Sequence, residues 1–245
     1  MDEQRVAIVT GSSSGIGAAI ATRLATQGIA VVINSARSVA AGRELADQLE
    51  GATYLQADVS DEEQARGLVE TAVERHGRLD ILVNNAGTTR IIPHGDLAAV
   101  TGEVWQDILS LNVVGAWNLS AAAAPHLARS GAGNIVNISS VAGSRPVGSS
   151  IPYAVSKAAI DHMTRLLANA LGPGIRVNAV APALTETPWT RGNEFFDKIA
   201  DKVREGTPLR RVGTADEVAE AVWAVLGMAH LTGAVLPLDG GASLV

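Results

Sequence analysis

No cysteine occurs among the 245 residues, so disulfides and thiolate metal sites are excluded. Positive charge is also short. Nineteen Lys and Arg against 25 Asp and Glu leave a net charge of −6, and no basic stripe gathers, which argues against nucleic acid as the main partner. The five histidines, His76, His94, His126, His162 and His230, show no metal-ligand spacing, so no metal site is expected. No uninterrupted apolar run reaches membrane-spanning length, and the start Met1-Asp-Glu-Gln-Arg-Val lacks the basic-then-apolar pattern of a signal peptide. No linker, repeat or low-complexity block divides the chain. These absences lead to the expectation of one domain over 1–245 in a cytoplasmic protein with no membrane partner. With 47% hydrophobic residues, a sizeable core is available to it.

Short β-branched runs alternate with longer helical segments. Strands are expected at 6–9, 30–34, 53–56, 81–84, 134–138, 176–180 and 234–238, most of them nearly continuous apolar runs, as in strands covered on both faces. Helices are expected at about 15–28, 38–50, 61–76, 102–128, 152–171 and 214–227. The third is expected to start on a capping box, Ser60-Asp-Glu-Glu63, and the fifth to stop at Gly172-Pro173. Regular alternation predicts an α/β fold, a doubly wound parallel sheet of seven strands with ligands at the strands' carboxyl ends.

Tyr153-Ala-Val-Ser-Lys157 places a phenol and an ammonium one helical turn apart, on one helix face. At roughly 4 Å and an effective dielectric near 20, their attraction of about 4 kcal/mol would lower the tyrosine pKa by up to about 3 units before desolvation, into the range of general acid/base work. Ser140, thirteen residues upstream, could hold a substrate oxygen beside the phenol; Ser139 is the competing hydroxyl. By itself the pair could equally be a tyrosine capped by a surface lysine.

The first strand runs into Thr10-Gly-Ser-Ser-Ser-Gly-Ile-Gly17 and then a helix. Glycines there let the backbone turn tightly and approach a pyrophosphate, while the helix N-terminus supplies unpaired amides. The spacing is neither the usual Gly-x-Gly-x-x-Gly nor a nucleotide-triphosphate loop.

Thr-Gly-x-x-x-Gly-x-Gly, Asn84-Asn-Ala-Gly87, Asn112, Ser140 and Tyr153-x-x-x-Lys157 stand in one order, followed by Pro208-Leu-Arg-Arg-Val-Gly213 and Asp239-Gly-Gly241. Over nearly its whole length the chain resembles the short-chain dehydrogenase/reductase family, and most closely in look the bacterial 3-oxoacyl-carrier-protein reductases. The resemblance implies a Rossmann-like fold and an NAD(P)-dependent oxidoreductase that moves a hydride between nicotinamide and a carbonyl or secondary alcohol. Sugar or alcohol dehydrogenation with NAD, or a non-catalytic dinucleotide sensor, are the alternatives. It further implies that Gly11, Ser13, Ser14, Gly15, Ile16 and Gly17 face the cofactor phosphates, that Asp58 and Val59 touch adenine, and that Asn85, Ala86 and Gly87 line the ribose. Tyr153 would be the general acid/base, Lys157 would bind the nicotinamide ribose, Ser140 would hold the reacting oxygen, and Asn112 would hold a proton-passing water. Pro182 and Thr187 would meet the nicotinamide end. On the residues alone, Asp58 could be a plain loop residue and Asn112 a polar interruption that kinks its helix.

Three departures from the family pattern stand out: Ala183 where glycine commonly follows Pro182, Pro188 after Thr187, and a segment at 226–232 about two residues short. The end of the second strand bears on cofactor choice. Asn34 stands where NAD-selective sites carry an acid, Arg37 is placed to bind a 2′-phosphate, and Ser35 or Ser38 could add neutral bonds, so NADP(H) is expected over NAD(H). Arg37 could instead be solvated or stack on adenine. Substrate selection is expected from 88–100, 144–152 and a variable segment near 187–211, where Trp189, Phe195 and Phe196 either cover the substrate or fill the core. Arg90, His94, Arg145 and Arg191 could greet an anionic substrate or simply be solvated. Small residues at 121–124 and 168–170 permit close helix approach, and the resemblance implies a homotetramer.

Overall fold

The computed structural model describes residues 4–245; the beginning of the N-terminal stretch weighed as a signal sequence, residues 1–3, lies outside them. Seven parallel strands form one sheet: β1 (Val6–Val9), β2 (Ala30–Ser35), β3 (Thr53–Gln56), β4 (Ile81–Asn84), β5 (Gly133–Ile138), β6 (Ile175–Pro182) and β7 (Val235–Leu238). Their order is β3-β2-β1-β4-β5-β6-β7, and every neighbouring pair is parallel, as strand–helix alternation implies. The order reverses between β1 and β4, and a ligand crevice opens at such a switch point.

Side chains alternate across the sheet. Val6, Ile8, Val32, Leu82, Ile135 and Val177 pack on helices α3 (Glu62–His76), α5 (Ala116–Arg129) and α6 (Ile151–Leu171). Val9, Val31, Ile33, Ile81, Val83 and Val136 pack on α1 (Gly15–Thr26), α2 (Val39–Gln48) and α8 (Ala215–Gly227). Each fully buried Ile or Leu contributes about 1.5–3 kcal/mol, so the two apolar layers fix the sheet that carries the site.

The helix expected at 102–128 is divided. A regular α4 (Gly102–Leu109) and α5 flank a wider π turn at Ser110–Gly115 that contains Asn112. A Cβ on Gly115 would come 3.1–3.3 Å from Val59, so this turn lies close against the loop after β3. The 28-residue stretch 102–129 is long and apolar enough by length and composition to cross a membrane, although polar residues interrupt it throughout. Its Ile108, Leu119, Ala123 and Leu127 are nevertheless buried inside the protein.

Other boundaries differ for identifiable reasons. The cap of α3 is Asp61, which accepts from the Gln64 amide at 2.9 Å, whereas Ser60 donates to Asp58 at 2.6 Å. Helix α7 (Glu194–Gly206) was not expected. Its signal was present: Asn193 caps the Phe195 amide, and Phe195, Phe196, Ile199, Ala200 and Val203 recur at helical spacing. The short segment at 226–232 is held by Arg176, which donates to the Leu226 and Leu231 carbonyls, and by Asn178, which donates to Leu231.

Candidate active site

A cavity of about 620 Å³ opens over the carboxyl ends of β1, β4, β5 and β6. One end is the glycine turn. Gly11 and Gly15 have φ of +60° and +57°, a backbone region that other residues adopt at a cost. Gly17 has no room for a side chain: a Cβ would lie 2.5 Å from both the Gly11 carbonyl and the Asn85 amide nitrogen. The Ser14 side chain makes no capping bond, so the first amides of α1 remain available to an anion.

Two clamps hold this turn. The Asn85 amide donates to the carbonyls of Thr10 at 2.8 Å and Gly11 at 3.1 Å, while the Thr10 hydroxyl accepts from the amides of Asn85 and Ala86, both at 3.1 Å. On the other side, Ser12 donates through its backbone amide to the Asn34 carbonyl at 2.9 Å and accepts from the Asn34 amide at 3.0 Å. The fastening role of Thr10 was not foreseen from the sequence.

The other end of the cavity holds the hydroxyls. Ser150 caps α6 by accepting from the Tyr153 amide at 3.4 Å, which sets Tyr153 in the first turn facing the cavity. Ser140 caps the short turn Val141–Gly143, accepts from the Ala142 amide at 3.2 Å, and lines the cavity together with Tyr153. Of the two candidate serines, only Ser140 meets Tyr153; Ser139 turns inward to Asp161 at 2.5 Å. Lys157 is buried beneath, donating to the Ile138 carbonyl at 2.8 Å, with its ammonium 5.7 Å from the centre of the Tyr153 ring.

The expected depression of the tyrosine pKa is not what the free protein has. Burial pushes the phenol above its ordinary value, and the nearby Ser140 hydroxyl opposes that only in part. Desolvation also pulls Lys157 down to about 8, against the raising influence of Asp161. A partly neutral lysine cannot exert the full field assumed from spacing alone.

Ser14, Gly15, Ile16, Gly17, Ala86, Gly87, Pro182 and Thr187 line the cavity with Gly11, Asn85, Ser140, Tyr153 and Lys157. Ser13 sits in the same turn but outside the lining, and Asn34, Ser35, Arg37, Asp58 and Val59 also stand beyond it. The position assumed for Asn34 needs correction. Strand β2 ends one residue later, at Ser35, and the buried Asn34 amide donates to the Leu55 and Ala57 carbonyls, both at 3.1 Å. Ser35 pairs with the Tyr54 hydroxyl at 2.9 Å, and Arg37 is exposed. Asp58 accepts from Ser60, and Val59 is buried under the π turn. The Asn112 side chain is committed to the loop after β4 and to α6: it accepts from the Thr88 amide at 2.8 Å and donates to the Thr88 carbonyl and the Ser156 hydroxyl at 3.0 Å.

Each of the three variable segments reaches the cavity, through Thr88 and Thr89, through Val147 to Ser149, and through Thr187 to Thr190 with α7. Its walls include Val141, Leu184, Trp189, Phe195, Phe196 and Ile199, and Phe195 meets Phe196 edge-on at 5.2 Å. None of Arg90, His94, Arg145 and Arg191 lines it. Arg90 pairs with Asp107 at 3.2 Å, and Arg145 binds the carbonyls of Ala242 and Val245. The late signatures pack on each other, with Leu209 donating to the Gly240 carbonyl at 3.0 Å.

Residues 11–243 match a family model described as enoyl-(acyl carrier protein) reductase. The chain is 61% identical over 243 residues to "Granaticin polyketide synthase putative ketoacyl reductase 2" of Streptomyces violaceoruber, covering 99% of this chain and 98% of that protein. It is 35% identical over 250 residues to the 3-oxoacyl-[acyl-carrier-protein] reductase FabG of Thermotoga maritima, covering 98% of each. This chain is a short-chain dehydrogenase/reductase. As a member of that family it is an oxidoreductase whose fold binds a nicotinamide dinucleotide. A solved structure entitled "ElxO with NADP Bound" superposes on this reductase with a TM-score of 0.88 at 28% identity, over 99% of this chain and 100% of the other.

Proposed function

We propose that the protein is an NADPH-dependent reductase of ketones carried on bulky, neutral, largely apolar molecules, including 3-oxoacyl and polyketide-like chains. The observation that carries this reading is the Ser140–Tyr153 hydroxyl pair above Lys157, facing a cavity whose far end is a glycine turn with no room for a side chain at Gly17. When bound, the nicotinamide supplies the hydride. Gly11, Ser13, Ser14, Gly15, Ile16 and Gly17 would hold the phosphates on the uncapped end of α1; Asn85, Ala86 and Gly87 would flank the ribose; Pro182 and Thr187 would meet the nicotinamide. Asp58 and Val59 are assigned the adenine.

In this reading Ser140 and Tyr153 both donate to the carbonyl oxygen, and Tyr153 gives it a proton as the carbon is reduced. A phenol held protonated by burial suits that direction. Lys157 holds the ribose, and Asn112 keeps Thr88 and α6 in register around it. Apolar walls at Leu184, Trp189, Phe195 and Phe196 favour a large hydrophobic substrate, and the Thr89–Ser149 hydroxyl pair, 2.6 Å apart, offers a second oxygen of the substrate a partner. The name of the granaticin relative agrees with this class.

The test is a panel of bulky cyclic ketones, β-ketoesters, sugars and simple alcohols, each with both cofactors. The largest kcat/KM is expected for cyclic ketones or β-ketoesters with NADPH. Sugar oxidation with NAD as the fastest reaction would overturn the proposal. Arg37→Ala is expected to cost about tenfold in kcat/KM with NADPH and little with NADH, the loss of one charge-assisted phosphate bond. Because Asn34 is committed to β3, the acid that reverses preference belongs at Ser35, in an Arg37→Ala/Ser35→Asp double variant.

The protein is also proposed to act as a homotetramer. Val114 and Trp117 around the start of α5, and Val155 and Leu166 on α6, are large apolar side chains left 44–58% exposed. Of the small residues at 121–124 and 168–170, Ala123 and Ala168 are buried in their own chain while Ala121 and Ala170 are exposed, so the large exposed residues add to what the alanines offer the assembly. Light scattering at micromolar concentration is expected to give four times the 25.2 kDa chain mass, and a monomer mass would refute it.

A further inference from the structure

Asp161 is a buried carboxylate, 5% exposed, one helical turn beyond Lys157 on the inner face of α6. A carboxylate is taken out of water at a cost that only partners offset, so its partners indicate its use. One is the Ser139 hydroxyl, which donates to Asp161 at 2.5 Å and also lies 3.3 Å from the Lys157 carbonyl. The turn after Ser140 is shaped around it: a Cβ on Gly143 would fall 2.7 Å from the second carboxylate oxygen, so only glycine leaves the carboxylate its place. Asp161 therefore touches both ends of the five-residue stretch 139–143, whose second residue presents the reactive hydroxyl.

We propose that Asp161 is a positioning residue for the reaction: through Ser139 and against Gly143 its carboxylate fixes the turn that presents Ser140, and it sets a negative charge one helical turn from Lys157. The inference rests on the reading of Lys157 as the ribose-binding cation. The surrounding charges agree with it. On α6, Arg165 donates to the Asp161 carbonyl at 3.2 Å, and Arg165 and Lys157 both favour the ionised carboxyl, against burial, which disfavours it most. The other titratable groups on that helix are Tyr153 and His162, and His162 is exposed, turned away from Asp161 to solvent. Strand β6 carries only Arg176, which is engaged with backbone carbonyls, and α4 carries Glu103 and Asp107, both exposed. Strand β5, the π turn and the 141–143 turn carry no ionisable side chain. Asp161 is thus the anion that acts on Lys157, raising a pKa that desolvation lowers to about 8.

The sign follows from this. An amine with a lowered pKa is charged below that value and loses its charge as pH rises through it, so NADPH affinity is expected to weaken on the alkaline side of about 8. Asp161→Asn keeps the shape and an acceptor for Ser139 but removes the charge. Its alkaline limb is expected to move to lower pH by about one unit. Ser139→Ala keeps the charge; its limb is expected to coincide with that of the native protein while kcat falls several-fold. The measurement is the NADPH dissociation constant by fluorescence across neutral to alkaline pH, with kcat alongside. If Asp161→Asn does not fold, Asp161→Ser, which also removes the charge, supplies the same reading. An Asp161→Asn limb coincident with the native one overturns the proposal and leaves Lys157 standing. A native protein with no alkaline limb overturns both.

Discussion

Tyr153→Phe is expected to lower kcat by roughly two to four orders of magnitude, the contribution of a positioned general acid, while NADPH affinity stays within a few-fold. The ring packs as before, because Ser150 caps the backbone at this position rather than the phenol. What is lost is the phenol oxygen that lines the cavity with Ser140. Steady-state kinetics with the best ketone, together with a cofactor titration, separate the two effects. Turnover within a few-fold of the native enzyme would show that another group supplies the proton.

Gly17→Ala is expected to abolish saturable cofactor binding and to lower Tm by on the order of 5–10 °C. The added methyl would meet the Gly11 carbonyl and the Asn85 amide at 2.5 Å and the Ser12 Cα at 2.8 Å. Two of those three atoms are backbone in a turn clamped on both sides, so the clash cannot be relieved by a rotamer change. Overpacking of this kind costs about 1–3 kcal/mol, and a chain of this size loses about 2–4 °C for each. Thermal melts with and without NADPH provide the check: the native protein gains Tm on adding cofactor, and the variant does not. A variant that binds NADPH normally would place the phosphates elsewhere.

The sheet was legible because its strands are buried on both faces, and a run such as Val31-Val-Ile33 has few other places to go. Ser140, Tyr153 and Lys157 were legible because spacing along β5 and α6 translates directly into proximity. The division at Ser110–Gly115 was not. A π turn keeps the composition of a helix and is set by contacts distant in sequence, here Val59 against Gly115 and Thr88 against Asn112. Nor could spacing give the acidity of Tyr153, which depends on how much water burial removes. The misplacement of Asn34 came from a one-residue error in where β2 ends, and one residue along a strand exchanges one face for the other. Helix α7 is legible only when Phe195 and Phe196 are read together with Ile199 and Val203, whose spacing completes one apolar face.

The bonds that fasten Thr10, Gly11 and Asn85 to one another join two loops into a single rigid piece before any ligand arrives. Besides the ends of β5 and β6 and the start of α6, the other walls come from three separate excursions of the chain, at Thr88 and Thr89, at Val147 to Ser149, and from Thr187 into α7. The protein is in this sense modular along a line its own topology draws. Exchanging only those three excursions with the corresponding segments of relatives is expected to change which substrates enter while leaving Ser140, Tyr153, Lys157 and the glycine turn where they stand.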